Sequence, residues 1–280
     1  MERREGARRL IVNADDFGRS CGINAAVIRA HREGILTTAS LMVNEHACAE
    51  AVALAREQPR LGVGLHLALL CGRAALPREK IPGLVNERGE FGDQPVAVGF
   101  RYFARRELRP QLRAEIRAQF EKFHATGLRL DHVNGHLHLH LHPAVFPLVL
   151  ECAEEFGVRA VRLTRDPFWR NARLASGRWF YRASHAVLHH LLAARARPQL
   201  RRRRIRHTDA VFGLLQNARV DEAFVARLLA ALPPGDSELY SHPSLEQFPH
   251  ECDALVSPRV RALVRARGIE LIRYQDLSDG

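Results

Sequence analysis

At 280 residues and 46% hydrophobic side chains, the chain can bury a full core, and its length suits one α/β barrel as well as two small domains. It has no run of about 18 apolar residues and no charged leader ahead of an apolar core. This excludes a spanning helix and leads us to expect a cytoplasmic protein. The formal net charge of +11 admits nucleic acid, anionic lipid or acidic substrates as partners. It peaks between Arg195 and His207, where no interleaved aromatics or nucleic-acid motif occur, so solubility or membrane-surface contact is expected and nucleic acid is not.

In chain order, Arg9 to Ala14 is a short apolar run that reads as a buried strand ending at Asp15-Asp16-Phe17-Gly18. A helix follows from Asn24 to Glu33 and stops at Gly34. The alternation recurs with a strand over Ile35 to Val43, a helix over Ala47 to Glu57 and a strand over Leu61 to Leu67. A long connection from Leu70 to about Val98 leads to a helix over Leu108 to Ala125 and a strand over Leu128 to Asn134. Pro143 to Phe156 reads as a helix and Val158 to Leu163 as a fifth strand. Residues 166–207 break the pattern with aromatic, basic and helical pieces and read as an insertion. Ala210 to Leu214, the helix from Asp221 to Ala231, Glu238 to Ser241 and Ile269 to Tyr274 restore it. Strands alternating with helices predict a parallel sheet, and about seven such units fit a distorted TIM-like (β/α) barrel in a single domain over residues 1–280. No G-x-G-x-x-G follows the first strand, which weakens a dinucleotide-binding reading.

The five cysteines, Cys21, Cys48, Cys71, Cys152 and Cys252, are odd in number and never form C-x-x-C. They are expected to be reduced packing residues. The densest chemical signal is Asp131-His132-Val133-Asn134-Gly135-His136-Leu137-His138-Leu139-His140-Leu141-His142-Pro143, with five histidines. Imidazole is the commonest metal ligand, and no more than two of these histidines are expected to touch metal. Read as a strand, the segment puts His136, His138 and His140 on one face and Leu137, Leu139 and Leu141 on the other, so some are expected to be polar-face residues only.

In parallel α/β folds the active site lies at the carboxyl ends of the strands. Asp15 and Asp16, His66, His136 and His242 all follow or end predicted strands. Two imidazoles and one carboxylate leave open positions on a divalent cation, as hydrolytic chemistry needs. A second carboxylate can take the proton of a water, and an imidazolium can protonate the leaving nitrogen. The adjacent pair Asp15-Asp16 offers two acids with different jobs, whereas glycoside hydrolysis needs two opposed carboxylates. A non-enzymatic reading, a basic module whose histidines buffer metal or whose arginines bind nucleic acid, is the other class considered.

Asn13-Ala14-Asp15-Asp16-Phe17-Gly18, Thr37 to Asn44, Gly64-Leu65-His66-Leu67, Asp131 to His138 and Ser241-His242-Pro243 resemble the motifs of the YdjC-like carbohydrate deacetylases, which include chitooligosaccharide deacetylases. The resemblance implies a TIM-like barrel that removes acetyl groups from N-acetylated amino sugars with one divalent metal ion, magnesium or zinc. It implies Asp16, His66 and His136 as metal ligands, Asp15 as general base and His242 as general acid. His138, His140, Arg162 and Asn134 would be substrate-facing or support the ligands, with His140 a reserve ligand and Arg162 either orienting a carboxylate or lying on the surface. Many relatives have Asp where this chain has Asn134, which bears on how a neighbouring histidine is hydrogen-bonded. Within the family the chain is most similar to a hopanoid biosynthesis-associated subgroup, which implies an N-acetylglucosaminyl lipid substrate. Residues 166–207 would then be a lid or a peripheral contact at the inner membrane face, and a homodimer is compatible with the sequence.

Overall fold

A computed structural model of the protein describes residues 6–278. The first half of the chain forms β1 (Arg8–Phe17), α1 (Cys21–Glu33), β2 (Thr38–Leu41), α2 (Cys48–Arg56), β3 (Gly62–Leu67), α3 (Pro95–Ala104), α4 (Arg109–Ala125) and β4 (Leu130–Gly135). The second half forms α5 (Phe146–Glu155), α6 (Phe168–Leu174), α7 (Trp179–Arg202), β5 (Ala210–Phe212), α8 (Glu222–Ala230), β6 (Gly235–Ser241), α9 (Pro249–Val256), α10 (Pro258–Ala266) and β7 (Glu270–Leu271). The strands pair in parallel in the order β4-β3-β2-β1-β6-β5, and β7 also pairs with β1. Every residue of β2, β3 and β5 is buried, as expected for parallel strands packed on both faces.

The sheet curls, and its two edges meet through an extended segment rather than a full strand. Val161 bridges to Val133 of β4, while its neighbour Ala160 bridges to Arg206 ahead of β5. The Val211 N–H of β5 then donates to the Arg165 carbonyl at 3.0 Å. The result is the distorted TIM-like barrel expected from the alternation. The expected strand over Val158 to Leu163 is reduced to these two bridges.

Other differences are local. The strand read as ending before Asp15 runs on to Phe17. The histidine segment is not a strand: His136–Leu141 winds as tight helical turns, with Leu137 and His138 at φ of 49° and 58°. The alternation of His and Leu there mimics a strand, but two successive left-handed residues turn the chain sharply after His136. The helices α3, α9 and α10 lie in stretches read as connections or left unassigned. Each starts on a proline in its first turn, Pro95, Pro249 and Pro258, where a missing N–H costs nothing.

Candidate metal centre

Consecutive residues of a strand normally point to opposite faces, so Asp15 and Asp16 should not share a site. Here the register of β1 against β2 slips between Ala14 and Phe17, and Asp16 adopts φ of 64°. Asp is among the few residues that tolerate this left-handed conformation. The bulge turns both carboxylates toward His66: Asp16 Oδ1 is 3.3 Å from its Nε2, and Asp15 Oδ1 is 3.9 Å from its Nδ1. His136, just beyond β4, brings its Nδ1 to 3.0 Å from Asp16 Oδ1. One donor atom from each of Asp16, His66 and His136 lies within 4.8 Å of the others, and all three residues are buried. Such a group could hold a divalent cation, and among the described residues no other group of three meets that test.

Asp15 is held on several sides. Arg162 donates to it twice, at 2.7 and 2.9 Å, and Asn13 and Asn134 donate to Oδ1 at 2.8 and 3.2 Å. Burial alone would push the carboxyl up, but the charges of Arg162 and His66 outweigh it and hold Asp15 well below the usual carboxylate range. The charge of His242 also reaches Asp15. Asp16 is likewise held down against burial by His136 and His66. Burial pushes His66 down, yet Asp15 and Asp16 together carry its imidazole above the ordinary value.

Asn134 joins these groups. Its Oδ1 accepts from His66 Nδ1 at 2.7 Å, which leaves Nε2 of that ring free to face Asp16. Its Nδ2 donates to Ser40 Oγ at 2.8 Å as well as to Asp15. A carboxylate at this position could accept from His66 but could donate to neither. Beneath lies a relay: Ser40 Oγ bonds His132 Nε2 at 3.0 Å, and Asp131 Oδ2 lies 3.0 Å from His132 Nδ1. The relay requires Gly64, because a Cβ there would sit 2.4 Å from the His132 ring.

The reading of Arg162 as a surface residue is overturned. It is fully buried, and besides Asp15 it bonds Glu238 Oε1 at 2.9 and 2.6 Å. Glu238 is also bonded by the Tyr274 hydroxyl. His140 is not one of the three grouped donors; its Nε2 bonds the Arg162 carbonyl at 2.9 Å. His138 is buried too, with Nε2 at 2.9 Å from the Tyr240 hydroxyl and Nδ1 at 3.2 Å from Thr164 Oγ1. Burial pushes His138 well below the ordinary histidine value and His140 down to about 3, so both are neutral members of the wall.

His242 follows β6 and keeps a partly open side chain. Its backbone N–H donates to buried Glu251 Oε2 at 2.6 Å, and its Nδ1 lies 4.0 Å from the same oxygen. Glu251 also accepts from the Val220 N–H at 3.1 Å. Sequence reading missed Glu238 and Glu251, which are single acids in ordinary-looking segments. The one signal available was that Glu238 opens a predicted strand of a parallel sheet, where a carboxylate must find a partner; Glu251 offered none.

The model of the YdjC-like protein family matches residues 9–266. The chain belongs to that family. Among relatives, a chitooligosaccharide deacetylase of Serratia marcescens is 32% identical over 275 residues, covering 96% of this chain and 98% of that protein. A carbohydrate deacetylase of Brevibacillus brevis is 43% identical over 153 residues, covering 54% of this chain and 57% of that protein. One of Geobacillus stearothermophilus is 44% identical over 161 residues, covering 56% and 62%. The chain thus matches little more than half the length of the last two relatives. A solved protein of Enterococcus faecalis V583 named for cellobiose-phosphate cleavage superposes with a TM-score of 0.75 at 23% identity, covering 97% of this chain and 99% of that one. It shares the fold described above.

Proposed function

We propose that the chain hydrolyses the N-acetyl amide of an acetylated amino sugar, with one divalent cation, magnesium or zinc, held by Asp16, His66 and His136. The observation that carries this reading is the approach of those three donors within 4.8 Å, directly beside Asp15. The donor set fits the ion: two imidazoles suit zinc, and the carboxylate also accepts magnesium. A cation held there supplies the acidity that a water needs before a base as weak as the clamped Asp15 can take its proton. Asp15 is ionised and fixed in orientation, so it acts as proton acceptor. His242, across the mouth on the Glu251-held loop, protonates the leaving nitrogen. Arg162 and Asn134 are positioning residues, and His138 and His140 shape the turn that carries His136.

The names of the Serratia, Brevibacillus and Geobacillus relatives support deacetylation of a carbohydrate. The finer reading is a lipid-linked sugar, an N-acetylglucosaminyl hopanoid, supported by exposed Leu137 and Leu245 beside His136 and His242. A chitooligosaccharide is the second reading, favoured by the Serratia relative's name. The test is acetate release from N-acetylglucosaminyl lipid and from diacetylchitobiose, with and without chelator. Chelator-sensitive acetate from either substrate is expected, and its preference between them separates the two readings. Several loosely held metals per chain and no acetate would instead fit a buffering module.

A further inference from the structure

We propose that the chain docks on an anionic lipid bilayer, using the exposed apolar stripes of α7 and α3 as two contacts. This rests on the lipid-linked reading of the substrate and deepens it by naming the surface. On α7, Phe180, Val187 and Leu191 stand at i, i+7 and i+11 and form one outward stripe, with Phe180 89% exposed. On α3, Val96, Phe100 and Phe103 stand at i, i+4 and i+7, with Phe100 71% exposed. Soluble proteins rarely leave two such stripes bare, and bare apolar surface of this kind marks an interaction site.

Both helices border the turn that supplies His136, α7 through the buried face opposite its stripe and α3 through Phe103 of the stripe itself. The ring of His189 on α7 lies 5.2 Å from that of His138, and Phe103 on α3 packs its ring 6.4 Å from His142. Between those two histidines of the turn and His136, Leu137 is 47% exposed.

Charge selects the occupant. Residues 167–208 contain 11 arginines and neither Asp nor Glu, while the rest of the chain has 31 basic and 31 acidic residues. The entire formal excess of +11 thus resides in the segment that presents the α7 stripe. A second copy of this chain would bring like charge to the same face, which opposes self-association there. Anionic headgroups complement it, and Trp169, 78% exposed on α6, is of the residue type that favours the headgroup level.

The test is flotation with vesicles of phosphatidylcholine and phosphatidylglycerol against phosphatidylcholine alone. Binding to the mixed vesicles is expected to be at least about tenfold stronger and to weaken with salt. Phe180→Ser with Leu191→Ser, and separately Phe100→Ser with Phe103→Ser, should each cut binding about tenfold. Both pairs should melt like the parent protein and release acetate from diacetylchitobiose as it does. Failure to bind the mixed vesicles, or binding untouched by either pair, overturns the proposal. So does a dimer in sedimentation that Phe180→Ser dissociates, which would assign the stripe to a second copy. Vesicle binding that persists while no substrate yields acetate overturns the functional reading and leaves the docking surface standing.

Discussion

Arg162 grips Asp15 through two hydrogen bonds of 2.7 and 2.9 Å, and both side chains are sealed from solvent. The same guanidinium serves Glu238, so one cation compensates two buried acids. Removing one partner of a buried ion pair is far more damaging than the net worth of the pair, because the other charge is left stranded. Arg162→Met is therefore expected to lower stability by about 3–5 kcal/mol in urea denaturation. Arg162→Lys keeps the charge but loses the planar fork that meets both carboxylates. It should retain most of the stability while acetate release falls roughly a hundredfold, the scale on which misplaced reacting groups lower rate. Equal losses of stability and activity in the Lys variant would deny Arg162 a role in aiming Asp15.

Asn134 links a proposed ligand to the proposed base, accepting from His66 and donating to Asp15. Asn134→Leu removes both bonds and is expected to weaken metal binding about 10- to 100-fold by titration calorimetry, the usual scale for such outer partners. Asn134→Asp should behave differently. It restores an acceptor for His66 and makes that ring a better donor of electrons to a cation, but it places a carboxylate against Asp15. Tighter metal binding together with a lower melting temperature of the metal-free protein is expected. Unchanged affinity in both variants would show that Asn134 only fills space.

Much of this centre is legible in the sequence, and the reasons are local. Asp16, His66, His136 and His242 fall where strands end, and in a parallel barrel those ends converge, so strand assignment alone places them on one rim. Arg162 is legible only in part: orienting a carboxylate and lying on the surface are both open readings. In Val161-Arg162-Leu163 it looks like an outward residue of an edge strand, and only the partial strand pairing there turns it into the barrel toward Asp15 and Glu238. The bulge at Asp16 was equally hidden, because a register slip depends on the neighbouring strand and not on the residues that slip. His140 misled in the other direction: four residues past His136 it stands at the spacing of a paired ligand, but the consecutive left-handed residues Leu137 and His138 turn the chain and send it to the Arg162 carbonyl. The helix α3 was missed because its exposed face, and not its buried one, carries Val96, Phe100 and Phe103.

Glu251 holds the loop that presents His242 by accepting the His242 and Val220 N–H groups. Glu251→Gln keeps one good acceptor oxygen, whereas Glu251→Ala leaves two buried donors without partners. The Ala variant is expected to lose about 2–4 kcal/mol, since each unsatisfied buried group costs roughly 1–3 kcal/mol. In the Gln variant the single oxygen can still serve the His242 N–H while the Val220 N–H loses its acceptor, so KM should hold if the His242 loop stays in place, and kcat should fall with the lost charge near the His242 ring. A Gln variant with raised KM and parental kcat would mean that the carboxylate serves substrate binding and not His242.

Asp166 provides a pH dependence away from the metal donors. It is buried at the start of the segment that leads into α6, where Oδ2 accepts from the Leu215 N–H at 3.2 Å and from Asn171 at 3.3 Å. Its Oδ1 has no partner among the described residues. Burial pushes this carboxyl from 3.8 up to about 7, against the downward pull of the bonds from Leu215 and Asn171. A raised value in the folded protein means the proton is held more tightly folded than unfolded. The resulting stability is complete below the unfolded value of 3.8 and is lost as pH rises through about 7. Asp166→Asn cannot ionise and should not show this loss. Relative to the parent, the variant is expected to gain on the order of 2 kcal/mol between about pH 5 and about pH 8 in urea denaturation, below the full value of the shift because water reaches an opened site. Parallel stability curves for the two proteins across that range would mean that Asp166 is already ionised in the folded state, held by Arg182 and the surrounding N–H groups more strongly than burial opposes it.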